Sequence, residues 1–592
     1  MNINKLFMAL ICCLLLVNCT NLDDVESRLD KVEIKVDNLQ ETINSLQKAY
    51  EDAKIIKKIE PLTTTGQEGW VITFTDQSSI KITNEVFKSV NINQGFVVFE
   101  MTDGSSFMFK MDSDIVTPKL LNLEFRASDN PEELIVDATC TIIGDSVVDC
   151  WVHNIMESKQ LIGRFTFEGD NVTINENTMV SGETRYDYRA PVKLTVKAAD
   201  LTQEYTVYVH AFTGLPVLWI ETEDRKDISS KEEYLNAHFR LVEDVVTRSA
   251  GDVVEFDGQI KGRGNSTWGM PKKPYRLKFS DKVSFLDEPK DKAWILLANY
   301  SDKTSLRTST AFYMGSISNL EYTPHFHFVD VMLNGRYNGI YQLGDKLKIS
   351  KNRVNVGDDG FLMEIDARAS GETDARYFKI NHIPQPVNIK DPDVEYDDEN
   401  FNYAKEYLTN ADNVLFSDNF TNPSEGWQKY LDMESFVDWY LINEITKNND
   451  AIFYSSCYMN LRRGGKLKMG PIWDFDIALG NVNYNDNFIE EGSWIKKIQW
   501  YSRLFEDPAF VAKVKERFAY FYRHREYIMR NINENAEYLK YSVQENENRW
   551  HTFYTYTWPN YDIWGSYMNE VQSMKTWLSK RFEWLKNEFE KM

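Results

Sequence analysis

One strand, turn and strand near the C-terminal end limits the fold of this chain more than any other segment. The stretch from Asp450 to Asp476, DAIFYSSCYMNLRRGGKLKMGPIWDFD, joins two runs rich in aromatic and aliphatic residues, Phe453 to Leu461 and Leu467 to Trp473, through Arg462-Arg463-Gly464-Gly465-Lys466. That composition predicts a β-hairpin. A ribbon folded about Arg463 and Gly464 sets Asp450 across from Asp474 and Asp476, so three carboxylates share one rim. Like charges that close raise one another's pKa unless a cation intervenes, and hard oxygen donors suit Mg2+ or Mn2+.

A chain of 592 residues is too long for one core and implies about three or four domains. Its 42% apolar and 14% aromatic residues suffice for packed cores. Its formal charge of -23 argues against a nucleic-acid partner, because neutralising phosphates takes an excess of Lys and Arg. A local basic cleft is still compatible with that balance.

At the N-terminus, Lys5 precedes an apolar run from Leu6 to Val17 that is too short to span a bilayer and has the shape of an export signal, residues 1–19. The run ends in Leu16-Val17-Asn18-Cys19, which resembles a bacterial lipoprotein processing site. That resemblance implies lipidation at Cys19 and attachment to a membrane through a lipid anchor, with Asn18 standing where a smaller residue is usual. No later segment has the ~18 consecutive apolar residues of a membrane span. Cys140, Cys150 and Cys457 are too few for a disulfide framework. Cys140 and Cys150 flank Gly144-Asp145 and read either as a pair across a hairpin or as two small core residues.

The expected organisation is multidomain. Leu22, Val25, Leu29, Val32, Val36, Leu39, Ile43, Leu46 and Tyr50 alternate steps of three and four, a heptad seam that predicts an N-terminal coiled-coil helix over residues 20–53 and a homo-oligomer formed through it. The competing expectation is one amphipathic helix packed on its own chain. Residues 54–117 hold two similar units, GWVITFTDQSSIKI and GFVVFEMTDGSSFMFKM, which predict an all-β hairpin unit. Residues 118–213 alternate short apolar strands with Gly, Asn and Asp turns, the pattern of an immunoglobulin-like β-sandwich. These N-terminal parts resemble the stalks and spacers of Bacteroides-type surface lipoproteins, which implies the outer membrane or cell surface of a Gram-negative bacterium. Residues 214–592 mix strands and helices, and Val571, Met574, Trp577, Leu578, Phe582, Leu585 and Phe589 near the end predict a packing helix.

Within that C-terminal part, KGRGNSTWGMPKKPYRLKF (261–279) joins a polar turn to a strand carrying Lys272, Lys273, Arg276 and Lys278. Turn amides backed by cations suit phosphate oxygens. Taken in order, RGNSTWGMPKKPYRLKF, WILLANYSDKTSLRTSTAF, NGRYNGIYQLGDKLKISKNRV, GFLMEID, NEITKNNDAIFYSSCYMN and GPIWDFDIALGN resemble the signatures of the CotH kinase family, named for a spore-coat protein. The resemblance covers roughly residues 215 to 590. It implies an α+β, atypical protein-kinase-like domain that uses ATP and Mg2+ or Mn2+ to phosphorylate Ser or Thr of an exported protein.

Carried over by motif, Asp450 resembles the catalytic Asp and Asp474 the metal-binding Asp, with Asp476 supporting the metal. Arg263, Lys273, Arg276 and Lys278 become candidate phosphate contacts, although only alternate positions of one strand face one side. Asp345 and Glu364 are further candidates for the nucleotide site. The family carries Glu before Lys after GIYQL, where this chain has Gly344-Asp345-Lys346. Five residues after Asp450, where a protein kinase has Asn, stands Ser455.

Other residues invite different assignments. His325 and His327 alternate on one strand and suit a metal, yet with no Cys or third His nearby they read as structural. Glu364 and Asp366 read equally as cleft-lining acids or as part of an ion pair. Trp550, Tyr554, Tyr556, Trp558, Tyr561 and Trp564 suit either a sugar-stacking surface or, more commonly, packing on the terminal helix. The alternative function is accordingly a non-catalytic surface adhesin or glycan-binding lipoprotein on a kinase-like scaffold.

Overall fold

The computed structural model describes residues 40–592 apart from 63–68, 84–86, 94, 102–103, 113–115, 135–136, 153–159, 200, 212–213 and 243–252. The export signal, Cys19 and the first part of the predicted coiled coil lie outside the described residues. None of the described helices is long and apolar enough to cross a membrane. The described residues divide into two compact units, one drawn from the chain before His210, the other from His210–Met592 together with Trp151 and Val152.

In the first unit, residues 40–51 are helical. Leu46 and Ala49 are buried against Ile59, Ile72, Phe99 and Phe109 of the strands that follow, with Ile43 partly buried beside them. This end of the heptad seam therefore packs on its own chain. Each predicted hairpin, Gly69–Phe74 with Ser79–Thr83 and Phe96–Met101 with Ser106–Lys110, gains a third strand, Ile56–Pro61 and Phe87–Asn93 respectively. The strands after Lys119 form sheets of six, three and two strands. Cys140 and Cys150 are joined as a disulfide, which decides between the two readings of that pair.

The second unit is built on two sheets. Strands β1 (Val217–Thr222), β2 (Leu235–Val242), β3 (Val253–Gly262), β4 (Tyr275–Val283), β5 (Asp291–Leu297), β6 (Phe326–Leu333) and β7 (Arg336–Asp345) close a barrel in the order β1-β2-β3-β4-β5-β7-β6. The closing pair, β6 with β1, is parallel, with Val217 facing Asp330. Side-chain alternation decides what the basic strand can do. Tyr275, Leu277 and Phe279 of β4 fill the barrel with Phe239, Trp294 and Tyr341, so Arg276 and Lys278 project outside it.

The second sheet, β8 (Phe361–Ile365), β9 (Tyr377–Phe378), β10 (Val387–Asp391), β11 (Cys457–Leu461) and β12 (Leu467–Met469), runs β9-β10-β8-β11-β12. The predicted hairpin is present as β11 and β12, turned about Arg462–Lys466 with Leu461 facing Leu467. Its first strand begins at Cys457, four residues later than expected. Residues 451–456 form turns instead, with positive φ at Phe453 and Ser456, because Tyr454 and Ser455 donate their backbone N–H groups to the Asp450 carbonyl and not to a neighbouring strand.

Around these sheets lie α1 (Arg307–Ser316), α2 (Glu399–Leu415), α3 (Met433–Thr446), α4 (Gln499–Leu504), α5 (Pro508–Trp550) and α6 (Tyr567–Lys591). Helix α3 starts at Asp432, whose carboxylate accepts from Ser435 N, and twelve of its residues, Ser435 to Thr446, are buried. A helix buried on every face is a core helix, and its polar side chains must find partners inside the protein. Asp507 caps α5 ahead of Pro508, and α5 runs 43 residues, about 65 Å at 1.5 Å per residue, past α3, α6 and β7. Arg517 of α5 grips Asp438 of α3 through two bonds of 2.8 and 2.7 Å. The apolar residues expected on α6 are all buried in the same core.

Arg581 of α6 sits among them, fully buried. It donates to both the carbonyl and the carboxylate of Glu444, each at 2.8 Å, and to the carbonyls of Glu490 and Gly492. Glu444 also accepts from the backbone of Trp494, Ile495 and Lys496. Removing one partner of such a buried pair strands the other charge. Arg581→Ala is expected to destabilise the second unit by about 3–5 kcal/mol, measured as a lower urea midpoint at unchanged m-value.

Candidate active site

Helix α3 ends with Lys447 in the left-handed conformation at φ 44°. A lysine holds that position because its ammonium is anchored to the carbonyls of Asp486, Ile489 and Glu491 at 3.0, 2.7 and 2.5 Å. The chain is thereby turned out of the helix into Asn448, Asn449 and Asp450. Asn448 bonds back to Asn443 of α3 and to the Trp473 carbonyl, which couples the segment carrying Asp450 to the segment carrying Asp474 and Asp476. The hairpin brings the two segments into register, and the asparagine fastens them beyond its open end.

All three acids line one cleft of about 570 Å3 within the second unit, together with Arg263, Ser301, Glu364, Asp366, Arg368 and Lys390. Asp450 accepts from Ser455 Oγ at 3.2 Å and from Asn449 Nδ2 at 3.3 Å. Burial and the neighbouring Asp474 push its carboxyl up to about 6. Ser456 Oγ donates to Asp474 at 3.2 Å, and Ser301 Oγ to Asp476 at 2.8 Å. Burial, then Asp474, raise Asp476 to about 8. These shifts mark acids crowded in a site of low polarity, where Arg263 and Arg368 offset only part of the effect of burial and mutual repulsion.

Arg263 enters from the loop after β3. Gly264, at φ +84° and with Thr267 Oγ1 2.2 Å from any added Cβ, makes the tight turn that only glycine fits there. Among the described residues the guanidinium has no hydrogen-bond or ion-pair partner. Burial lowers its pKa, while Asp474, Tyr458 and Asp476 favour its charge. Glu364 of β8 accepts from Ser456 N at 3.0 Å and lies 3.4 Å from the Lys390 ammonium. Burial lifts it to about 7 even so. It is at once a cleft-lining acid and half of an ion pair, and Asp366 lines the same cleft.

The other candidates are elsewhere. Lys273 is engaged with the Trp268 carbonyl at 2.7 Å and the Trp268 ring, and Lys278 lies over Tyr234. Arg276 acts on Arg263 electrostatically without lining the cleft. Lys272 is buried, donating to Ile340 O and Asn546 Oδ1. Asp345 is away from the cleft, bonded to Arg353, His325 and Tyr322 at 3.1, 3.0 and 2.8 Å. Against the effect of burial, His325 and Arg353 hold its carboxyl below the usual range. His325 and His327 do face one side, where both meet Glu288, at 3.6 and 2.8 Å. The C-terminal aromatics Tyr554, Tyr556, Trp558, Tyr561 and Trp564 are about half exposed or more, and Trp564 is tied to the start of α6, its backbone N–H donating to Glu570 and its carbonyl accepting from Asn569. Trp558 stacks on Tyr484 at the cleft and Tyr561 on Phe488, with residues 551–565 outside helix and strand.

Sequence reasoning passed over Ser301, Arg368, Lys390, Asn449, Ser456 and Tyr484. Arg368 and Ser456 had a local signal, each lying within a few residues of a motif acid. Ser301 and Tyr484 reach the cleft only through tertiary folding.

Among the described residues no three His, Cys, Asp or Glu side chains are already gathered as a metal-holding cluster. The oxygen donors of Asp474 and Asp476 nonetheless fit Mg2+, which is usually held by one or two carboxylates plus substrate phosphates, not by an all-protein cage. A family model described as CotH kinase protein matches residues 260–585, a span that contains every cleft residue named above. No curated protein matches the chain.

Asp476 supplies a check on these electrostatics. With its folded pKa raised above that of the unfolded chain, the native state retains a proton that the unfolded state releases, so stability falls as pH rises from about 4 to about 8. In metal-free buffer Asp476 should contribute a loss of stability between pH 6 and 8 of up to about 1.4 kcal/mol per pH unit, added to those of the other raised carboxyls. Asp476→Asn should flatten that slope, as read by urea denaturation at a series of pH values.

Proposed function

The chain belongs to the CotH kinase protein family, and from this premise we propose that its second unit transfers the γ-phosphate of ATP to a Ser or Thr hydroxyl of an exported protein. The observation that carries the proposal is the shared cleft, in which Asp450, Asp474 and Asp476 line the same cavity as Arg263, whose guanidinium has no hydrogen-bond or ion-pair partner among the described residues. Phosphoryl transfer calls mainly for alignment and for neutralisation of phosphate charge. A divalent cation held by Asp474 and Asp476 would offset the charge on the β- and γ-oxygens. Arg263 supplies a second positive charge to the same oxygens.

Asp450 receives the acceptor proton as the hydroxyl oxygen bonds to the γ-phosphorus and the bridging bond to the β-phosphate breaks, releasing ADP. A carboxyl raised to about 6 is a stronger base than an ordinary aspartate and still mostly ionised at neutral pH. Tyr454, Tyr484 and Trp558, about half exposed beside Asp450, form the side from which an acceptor chain approaches. Export and lipid attachment through Cys19 would put this chemistry at a membrane surface, with oligomers formed through the N-terminal helix. The adhesin or glycan-binding reading draws on the same exposed rings but assigns no role to the crowded acids.

Incubating the full chain with labelled ATP, Mn2+ or Mg2+ and casein as a generic acceptor tests the proposal. Label should pass to the protein or the acceptor, Asp474→Ala should abolish it, and Arg263→Ala should raise the KM for ATP about tenfold or more, in line with losing a charge-assisted contact. Absence of both nucleotide binding and transfer, or full activity in Asp474→Ala, would remove the kinase reading.

A further inference from the structure

The cleft holds a cation that neither the motif match nor the transfer chemistry above employs. Arg368 follows β8, and three contacts set its place. Ala367 N donates to the Tyr454 carbonyl at 2.8 Å, tying this segment to the turn after Asp450. Arg368 N donates to Asp366 Oδ1 at 2.9 Å. Arg368 Nη1 donates to Ser455 Oγ at 3.3 Å. Ser455, only 1% exposed, donates its own proton to Asp450 Oδ2 at 3.2 Å, while Asn449 holds Oδ1.

The hydroxyl thus accepts from a guanidinium and donates to a carboxylate, the one arrangement that uses both its capacities in a single direction. Without the arginine the serine hydroxyl loses the donor that fills its acceptor side. With it, the hydroxyl proton is aimed at Oδ2. A carboxylate that must meet an incoming hydroxyl at hydrogen-bond distance gains from having its rotamer set in advance, and a displacement of about 1 Å costs on the order of 100-fold in rate.

We infer that Arg368 is a positioning residue for phosphoryl transfer, fixing the orientation of Asp450 through the Ser455 hydroxyl. Ser455 thereby fills the structural place five residues after the catalytic aspartate with a relay. The inference rests on the kinase reading for its consequence and on the hydrogen-bond chain for its geometry. The two are separable. Arg368 differs in this from Arg263, whose guanidinium has no partner among the described residues and is available to phosphate.

The test uses the full chain with Mn2+, ATP and the acceptor that the wild type labels. Arg368→Ala should lower kcat about 10- to 100-fold with the KM for ATP within about twofold of wild type. Arg368→Lys should recover part of the loss, and Arg368→Ala should add little in a Ser455→Ala background, since both break one chain. A raised KM for ATP at retained kcat would make Arg368 a phosphate contact and overturn the inference, as would fully additive losses. If the wild type transfers no phosphate at all, the kinase reading fails, and crystal structures of Ser455→Ala and Arg368→Ala still decide the relay. An Asp450 carboxylate turned from its wild-type rotamer in both supports it, and an unchanged rotamer in either refutes it.

Discussion

The Glu444–Arg581 pair is the interaction on which the second unit most depends. Helix α3 is buried on all sides, so its C-terminal carbonyls have no water to turn to and must be satisfied by protein. Arg581 of the last helix meets that demand at the Glu444 carbonyl, and the Glu444 carboxylate in turn receives three backbone N–H groups from the segment at 494–496. One buried pair thus joins the central helix, the C-terminal helix and the segment at 494–496. Lys447, one turn of chain later, repeats the solution with three carbonyls. Asp450 is delivered from this rigid base.

Beyond it the structure is deliberately uncomfortable. Asp450, Asp476 and Glu364 are all pushed toward their protonated forms, first by burial and then by charges that include each other's neighbours. Apart from Lys390 beside Glu364, the hydrogen bonds that reach them come from Ser301, Ser455, Ser456 and Asn449, neutral donors that orient a carboxylate without cancelling its charge. Fold stability is held in α3, α5 and α6, while the cleft keeps unbalanced charge. That division suits a site whose charge is completed by what binds there.

Much of this was legible in the chain. The diglycine turn announced the hairpin, since such a turn has few other uses between two apolar runs. The 3.6-residue spacing of Val571, Met574, Leu578, Phe582 and Leu585 announced α6, and the ordered motifs pointed to Asp450, Asp474, Asp476, Arg263 and Glu364, which all line one cleft. Asp507-Pro508 followed by Phe510, Val514, Phe518 and Phe521 carried an equally plain helix signal for α5 that was passed over. Other features left no trace at short range. Lys272, Lys273, Arg276 and Lys278 read alike as strand cations, yet barrel alternation and nearby acceptors send each to a different fate.

Local pattern therefore settled which segments are strands and helices, because period and turn chemistry act over a few residues, and it settled which side chains have the chemistry for phosphate and metal. Tertiary structure alone decided which of them meet. Asp345, eighteen residues before Met363 in the chain, is taken by Arg353 and His325, whereas Ser301 reaches Asp476 across 175 residues and Arg368 reaches Ser455 across 87. Contacts of that separation depend on how the barrel, the second sheet and α3 close on one core, and no run of neighbouring residues encodes that closure.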